Sequence, residues 1–159
     1  MSEQGTQSVE KTIGRPIALM GTFERNLDPK KRLTIPSVWR DALGPGFVYV
    51  MPDATRRCIQ LIPRGVMEAR LAKYQELALG NPEINEVLDA IGAVSEMLEF
   101  DVQGRIRISD KLLAFANLKG SVTLKGSVRM ATIWPAEEKS GDMEEQVAKL
   151  GAAMAKIQF

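Results

Sequence analysis

Histidine is absent from this 159-residue chain, and cysteine occurs once, at Cys58. A Ser-His-Asp or Cys-His nucleophile is therefore impossible, as are HExxH metal sites and Cys/His zinc knuckles. No disulfide can close within the chain, which agrees with a reducing compartment. Neither charge dominates, with 21 Lys or Arg against 20 Asp or Glu, so at first sight no polyanion binder is indicated. The longest unbroken apolar runs span about five residues, far below the ~18 that a membrane-spanning helix needs. Met1 to Arg15 lack the apolar stretch of a secretory leader, so a cytoplasmic location is expected, with residues 1–16 as a flexible tail. Gly44-Pro45-Gly46 and Gly120 to Gly126 fit neither the P-loop nor the dinucleotide pattern and read as turns. Cys58 opens an apolar run to Ile62 and reads as a small core residue. Trp39 and Trp134 also read as core, and the pairs Glu137-Glu138 and Glu144-Glu145 read as solvated faces. These absences point away from catalysis. No enzyme site, metal, cofactor, membrane or small-molecule substrate is expected.

What the chain does contain is an internal repeat, offset by 73 residues. Leu27-Asp28-Pro29-Lys30-Lys31-Arg32-Leu33-Thr34-Ile35 matches Phe100-Asp101-Val102-Gln103-Gly104-Arg105-Ile106-Arg107-Ile108. In each copy a short helix-like piece follows (Ser37 to Leu43, Asp110 to Ala116). Two strand-like runs come after it, ending Leu61-Ile62-Pro63 and Ile133-Trp134-Pro135. A unit of about 43 residues is too small to bury enough surface alone, so the two copies are expected to share one core. Between them, Met67, Leu71, Tyr74 and Ala78 mark a helix over Arg64 to Leu79, stopped by Gly80. Asn81-Pro82 caps a second helix with Ile84, Val87, Leu88 and Ile91 on its apolar face. Beyond Asp142, a pattern of Met143, Val147, Leu150, Met154 and Ile157 predicts a C-terminal helix with a narrow apolar seam. Such a seam suits its own domain, a neighbouring helix or another subunit.

The repeated motif has its own chemistry. Alternation turns Leu33, Ile35, Ile106 and Ile108 inward and Arg32, Thr34, Arg105 and Arg107 outward. Asp28 before Pro29 favours a type I turn, and Asp101 to Gly104 offers the same turn ending in glycine. An Asp four residues before an Arg across such a turn accepts backbone N–H bonds and holds the guanidinium. An oriented Arg suits phosphates or guanine edges, which its planar fork bonds bidentately. The charge map agrees. Residues 11–73 hold 12 Lys or Arg against five Asp or Glu, a net of +7, while residues 74–159 carry −4 and the tail −2. The near-neutral total conceals a basic first copy, with Lys30, Lys31 and Arg32 around one turn.

The motif Gly21-Thr22-Phe23 through Asp28-Pro29-Lys30-Lys31-Arg32-Leu33-Thr34-Ile35-Pro36, followed by Asp101 to Ile108, resembles the MraZ family of bacterial regulators, which carry two tandem SpoVT/AbrB-like units. The likeness spans Met20 to Trp134. It implies a mainly β fold with helices, a double-split (swapped-hairpin) β-barrel of the two repeats, with connecting helices and a C-terminal helix. The expected organisation is a first repeat at 20–63, a helical connector at 64–92, a second repeat at 93–135 and the terminal helix at 136–159. The resemblance further implies a homo-oligomeric ring at the nucleoid that binds double-stranded DNA. It would act as a repressor on direct repeats upstream of the division and cell-wall gene cluster. Asp28 with Arg32 and Asp101 with Arg105 correspond to the family's DNA-contacting pairs; Lys30, Lys31 and Arg107 complete the candidate set. The alternative is a ring-forming structural or protein-interaction module with weak or no DNA binding. Three departures stand out: Lys31 replaces the family's glycine, Ser109 replaces its proline, and Asn85 to Glu99 is acidic. They suggest that the first repeat dominates affinity and the second serves mainly assembly.

Overall fold

Alternating burial and well-placed helix stops set the elements of the chain. The computed structural model describes residues 18–136 and 141–158. The expected tail at 1–16 and the pair Glu137-Glu138 lie outside the described residues. The first repeat forms β1 (Thr22–Asn26), β2 (Arg32–Thr34), α1 (Ser37–Leu43), β3 (Phe47–Pro52) and β4 (Ile59–Ile62). Helices α2 (Arg64–Leu77) and α3 (Pro82–Val94) follow. The second repeat gives β5 (Glu96–Glu99), β6 (Arg105–Arg107), α4 (Asp110–Ala116), β7 (Ser121–Gly126) and β8 (Ala131–Pro135), and α5 (Met143–Ile157) ends the order. Among the described residues no helix is long and apolar enough to cross a membrane.

Local signals act as expected at most ends. The Asn81 side chain accepts the N–H groups of Glu83 and Ile84, with Pro82 in the first turn of α3. Asp142 caps α5 by accepting from Glu145 N at 2.9 Å. Helix α2 stops at Leu77, two residues before the predicted end, and left-handed Gly80 (φ +75°) carries the turn into α3.

The two copies are interleaved rather than side by side. A six-stranded antiparallel sheet runs in the order β1-β7-β8-β4-β3-β5, with β2 and β6 paired in a ribbon of their own. Each copy's first strand pairs with the other copy's third: Thr22 lies opposite Lys125, and Glu99 opposite Phe47. The β4·β8 pairing joins the two halves at the centre. The ladder does not close into a barrel among the described residues. The reason is local: the Asp28 and Asp101 turns interrupt the chain after β1 and β5, and the three-residue strands beyond them pair only with each other.

The shared core follows from this exchange. Leu33 and Ile106, cross-strand partners in the ribbon, are both fully buried, and Ile35 and Ile108 continue their face into the same cluster. Burying each such side chain contributes about 1.5–3 kcal/mol. From α1 and α4 come Trp39, Leu43, Leu112 and Leu113, and from the sheet Val48, Val50, Val122 and Leu124. Trp39 also donates its indole N–H to Met20 O at 2.7 Å. Trp134, expected in the core, is only half-buried: it lies on interior strand β8 with Arg56 and Lys125 against its ring at 5.7 and 5.0 Å. Cys58 is buried, and burial pushes its thiol up to about 11, so it packs rather than reacts.

Candidate nucleic-acid interface

Both Asp…Arg motifs fold into the same turn. Lys31 N donates to Asp28 O at 2.9 Å, and Asp28 N returns a bond to Arg32 O at 3.0 Å. The Asp28 carboxylate accepts from Lys30 N (2.9 Å), Arg32 N (2.8 Å) and Arg32 Nε (2.6 Å). The second turn repeats each bond: Gln103 N and Arg105 N at 2.9 Å, and Arg105 Nε at 2.7 Å, all to Asp101. The backbone N–H of each Arg, more than its guanidinium, holds the Asp28 and Asp101 carboxyls below their ordinary value. Each carboxylate thus fixes its arginine through Nε rather than through the outer guanidinium nitrogens, the pair that a planar acceptor bonds.

The ribbon welds the two turns together. Ile35 N bonds Gly104 O at 3.1 Å and Ile108 N bonds Lys31 O at 3.0 Å, each strand reaching the far turn. Arg105 Nη1 comes within 3.7 Å of Asp28 Oδ2. In the β2·β6 register Arg32 faces Arg107 and Thr34 faces Arg105. Directly opposite residues of an antiparallel pair share a face, so Arg32, Thr34, Arg105 and Arg107 line the outer side while Leu33 and Ile106 line the core. Arg32 and Arg105 are about a quarter exposed, and Arg107 and Lys30 are exposed. Like charges directly opposite in a ladder repel. Asp28 offsets part of that repulsion, and a bound anion would offset the rest.

The turns differ most at the residue before the arginine. Lys31 adopts the left-handed conformation, φ +62°, where its counterpart Gly104 has φ +77°. A side chain there costs about 1–2 kcal/mol relative to glycine. The Lys31 ammonium pairs with Asp110 at the start of α4, whose carboxyl it pulls down. At Gly104 the space of a Cβ is taken instead by the Arg40 guanidinium, whose Cζ would stand 2.7 Å away. Arg40 also lies over the Phe100 ring at 5.8 Å. Spacing within one motif gives no hint of Arg40. Aligning the copies does, because position 40 corresponds to Leu113, an apolar core residue.

The other departures have structural roles. Ser109 Oγ accepts Leu112 N at 3.4 Å and donates to Glu96 Oε2 at 2.6 Å, so the serine caps α4 and ties it to β5. Pro36, at the same place before α1, supplies no side-chain cap. The acidic residues Glu86 and Asp89 lie on α3, and Glu96 and Glu99 on β5, off the ribbon. Among the described residues no cluster of three or more His, Cys, Asp or Glu could hold a metal ion.

Comparison with known proteins fits this geometry. No family model matches the chain. Curated relatives do. The chain is 33% identical to the transcriptional regulator MraZ of Roseiflexus castenholzii over 115 residues, 72% of this chain and 79% of that protein. It is 31% identical to the protein of the same name from Mycolicibacterium smegmatis (74% and 81% covered). The Bifidobacterium longum MraZ is 32% identical (76% and 79% covered). With identity above 30% over about three quarters of its length, the chain belongs to the MraZ family of transcriptional regulators.

Proposed function

We propose that this protein regulates transcription by binding duplex DNA with the outer face of the β2·β6 ribbon and its two turns. One observation carries the reading: three arginines, 32, 105 and 107, share one face of a two-stranded ribbon, two of them fixed by a carboxylate. A two-stranded ribbon has the width of the major groove, and Arg there bonds guanine O6 and N7 bidentately. The two turns form one surface, so both arginines of the Asp…Arg pairs contribute to specificity. Lys30 and Lys31 belong only to the first turn, and it therefore supplies more of the phosphate attraction. This reading differs from the expectation that the first repeat dominates affinity and the second serves mainly assembly. We read the interleaved sheet and ribbon as the swapped-hairpin arrangement. In keeping with the family likeness, the protein works in the cytoplasm at the nucleoid as a homo-oligomeric ring. There it represses from short direct repeats upstream of the division and cell-wall gene cluster.

The test is selection of bound fragments from sheared genomic DNA with the wild-type, Arg32→Ala and Arg105→Ala proteins. The wild type is expected to enrich fragments sharing a short repeated sequence, and both variants to lose the enrichment. Failure of the wild type to retain any fragment at moderate salt would sink the proposal.

A further inference from the structure

Helix α5 is an amphipathic helix without a buried residue. Its seam stands open: Met143 and Ile157 are each 72% exposed, Val147 54% and Leu150 51%. Beside the seam, a Cβ on Gly151 would meet nothing within 4 Å. A helix of fifteen residues is marginal by itself in water, even with the favourable alanines at 148, 152, 153 and 155. Something must cover this face for α5 to persist.

We propose that the face is covered by α5 of a second copy of this chain, running antiparallel. The seam repeats at spacings of 4, 3, 4 and 3 residues, the narrow pattern of a two-helix contact. Charge selects the direction. Asp142, Glu144 and Glu145 crowd the N-terminal end, while Lys156 sits in the last turn. Antiparallel pairing sets the acids of one helix against the lysine of the other at both ends, and it opposes the two helix dipoles. Parallel pairing stacks acid on acid and lysine on lysine. Gly151 and Ala153 flank the seam with small side chains, so the helices approach closely. In this arrangement Met143 of one copy lies in a layer with Met154 of the other, and Val147 with Leu150.

The proposal concerns self-association and does not depend on the DNA reading. Two full-length variants, Met143→Cys and Met154→Cys, are mixed in equal amounts and oxidised; native Cys58 is buried and stays out of the reaction. The antiparallel pair yields the mixed disulfide well beyond the random-pairing ratio. In a parallel pair the two positions are separated by about 16 Å, at 1.5 Å per residue, so excess of either homodisulfide overturns the proposal. So does a mixed product that forms no faster than the disulfide of Ala152→Cys, which lies on the outer face. Adding Leu150→Asp to both partners should lower the mixed product to that control rate, and persistence of the product would equally refute the pairing.

Discussion

The two Asp…Arg turns have the same hydrogen bonds but a different residue before the arginine. The first forces a lysine into a left-handed backbone and ties its ammonium to Asp110; the second uses glycine and admits Arg40 from the other copy. In both, a cation ends up beside the turn. The difference teaches that the geometry of the arginine is set by the aspartate and not by the glycine, because Lys31 reproduces the turn despite its strain. It also shows that each turn is completed by the opposite copy, so neither can be understood alone.

The largest effect should come from removing what the turns share. Leu33→Ala and Ile106→Ala each empty space at the ribbon's buried face and should cost about 2–5 kcal/mol, read by urea denaturation. Equal losses are expected, since the two residues are cross-strand partners of equal burial. A large inequality would mean that the two halves of the core are not equivalent.

DNA affinity comes next. Arg32→Ala and Arg105→Ala should each lose about 1–3 kcal/mol of binding to a selected operator, roughly five- to 150-fold, and relax specificity. Lys30→Ala should weaken binding to all duplexes alike and lower the salt slope by about one. Anisotropy titrations at several salt concentrations separate these outcomes. Loss confined to Arg32→Ala would restore the division of labour between the copies.

Exchanging the residues before the arginines probes the difference itself. Gly104→Lys should destabilise by about 1–2 kcal/mol from backbone strain, with a further cost as Arg40 is displaced. Lys31→Gly relieves that strain but frees the unfolded chain and gives up an exposed ion pair, so a net change within about 1 kcal/mol is expected. Thermal melts of the two variants measure both. Stabilisation by Gly104→Lys would contradict the close approach of Arg40.

The smallest difference should appear in acid. A carboxyl whose folded pKa is depressed stabilises fully above its unfolded value and loses that contribution as pH falls through the folded one. Asp28 and Asp101 both lie below the ordinary 3.8 in the folded protein, so their share fades only below about pH 4. Asp28→Asn and Asp101→Asn should flatten the fall in urea midpoint between pH 7 and pH 3, by similar amounts. A steeper fall in either variant would reverse the assigned direction.

Much of this was legible in the sequence because it rests on local rules. Alternation placed Leu33, Ile35, Ile106 and Ile108 inside. Turn chemistry placed Asp28 and Asp101, and the capping residues Asn81 and Asp142 opened their helices. What escaped depends on contacts between distant residues. The position of Arg40 against Gly104 joins two copies, and nothing near residue 40 encodes it. Ser109 reads as a departure from a pattern until Glu96 is seen accepting its hydroxyl. A double-split, swapped-hairpin barrel was expected by likeness; among the described residues the short strands β2 and β6 pair with each other and no closed barrel is seen. Trp134 reads as core because it follows a β segment, and the two cations on its ring are seen only once the chain is folded.

The interleaved sheet has a consequence for the chain as it is made. Thr22 pairs with Lys125, and so β1 waits for about a hundred further residues before its partner exists. At ~5–20 residues per second, that delay lasts roughly five to twenty seconds on the ribosome. For most of this interval the first copy has the internal hydrogen bonds of the Asp28 turn but neither its ribbon partner β6 nor Asp110, which completes it. Nascent chains on neighbouring ribosomes could satisfy the same pairings in trans, since the second half of one molecule fits the first half of another. The sheet is therefore completed late and in steps: β5 and β6 reach β3 and β2 first, and β1 finds its partner only when β7 emerges.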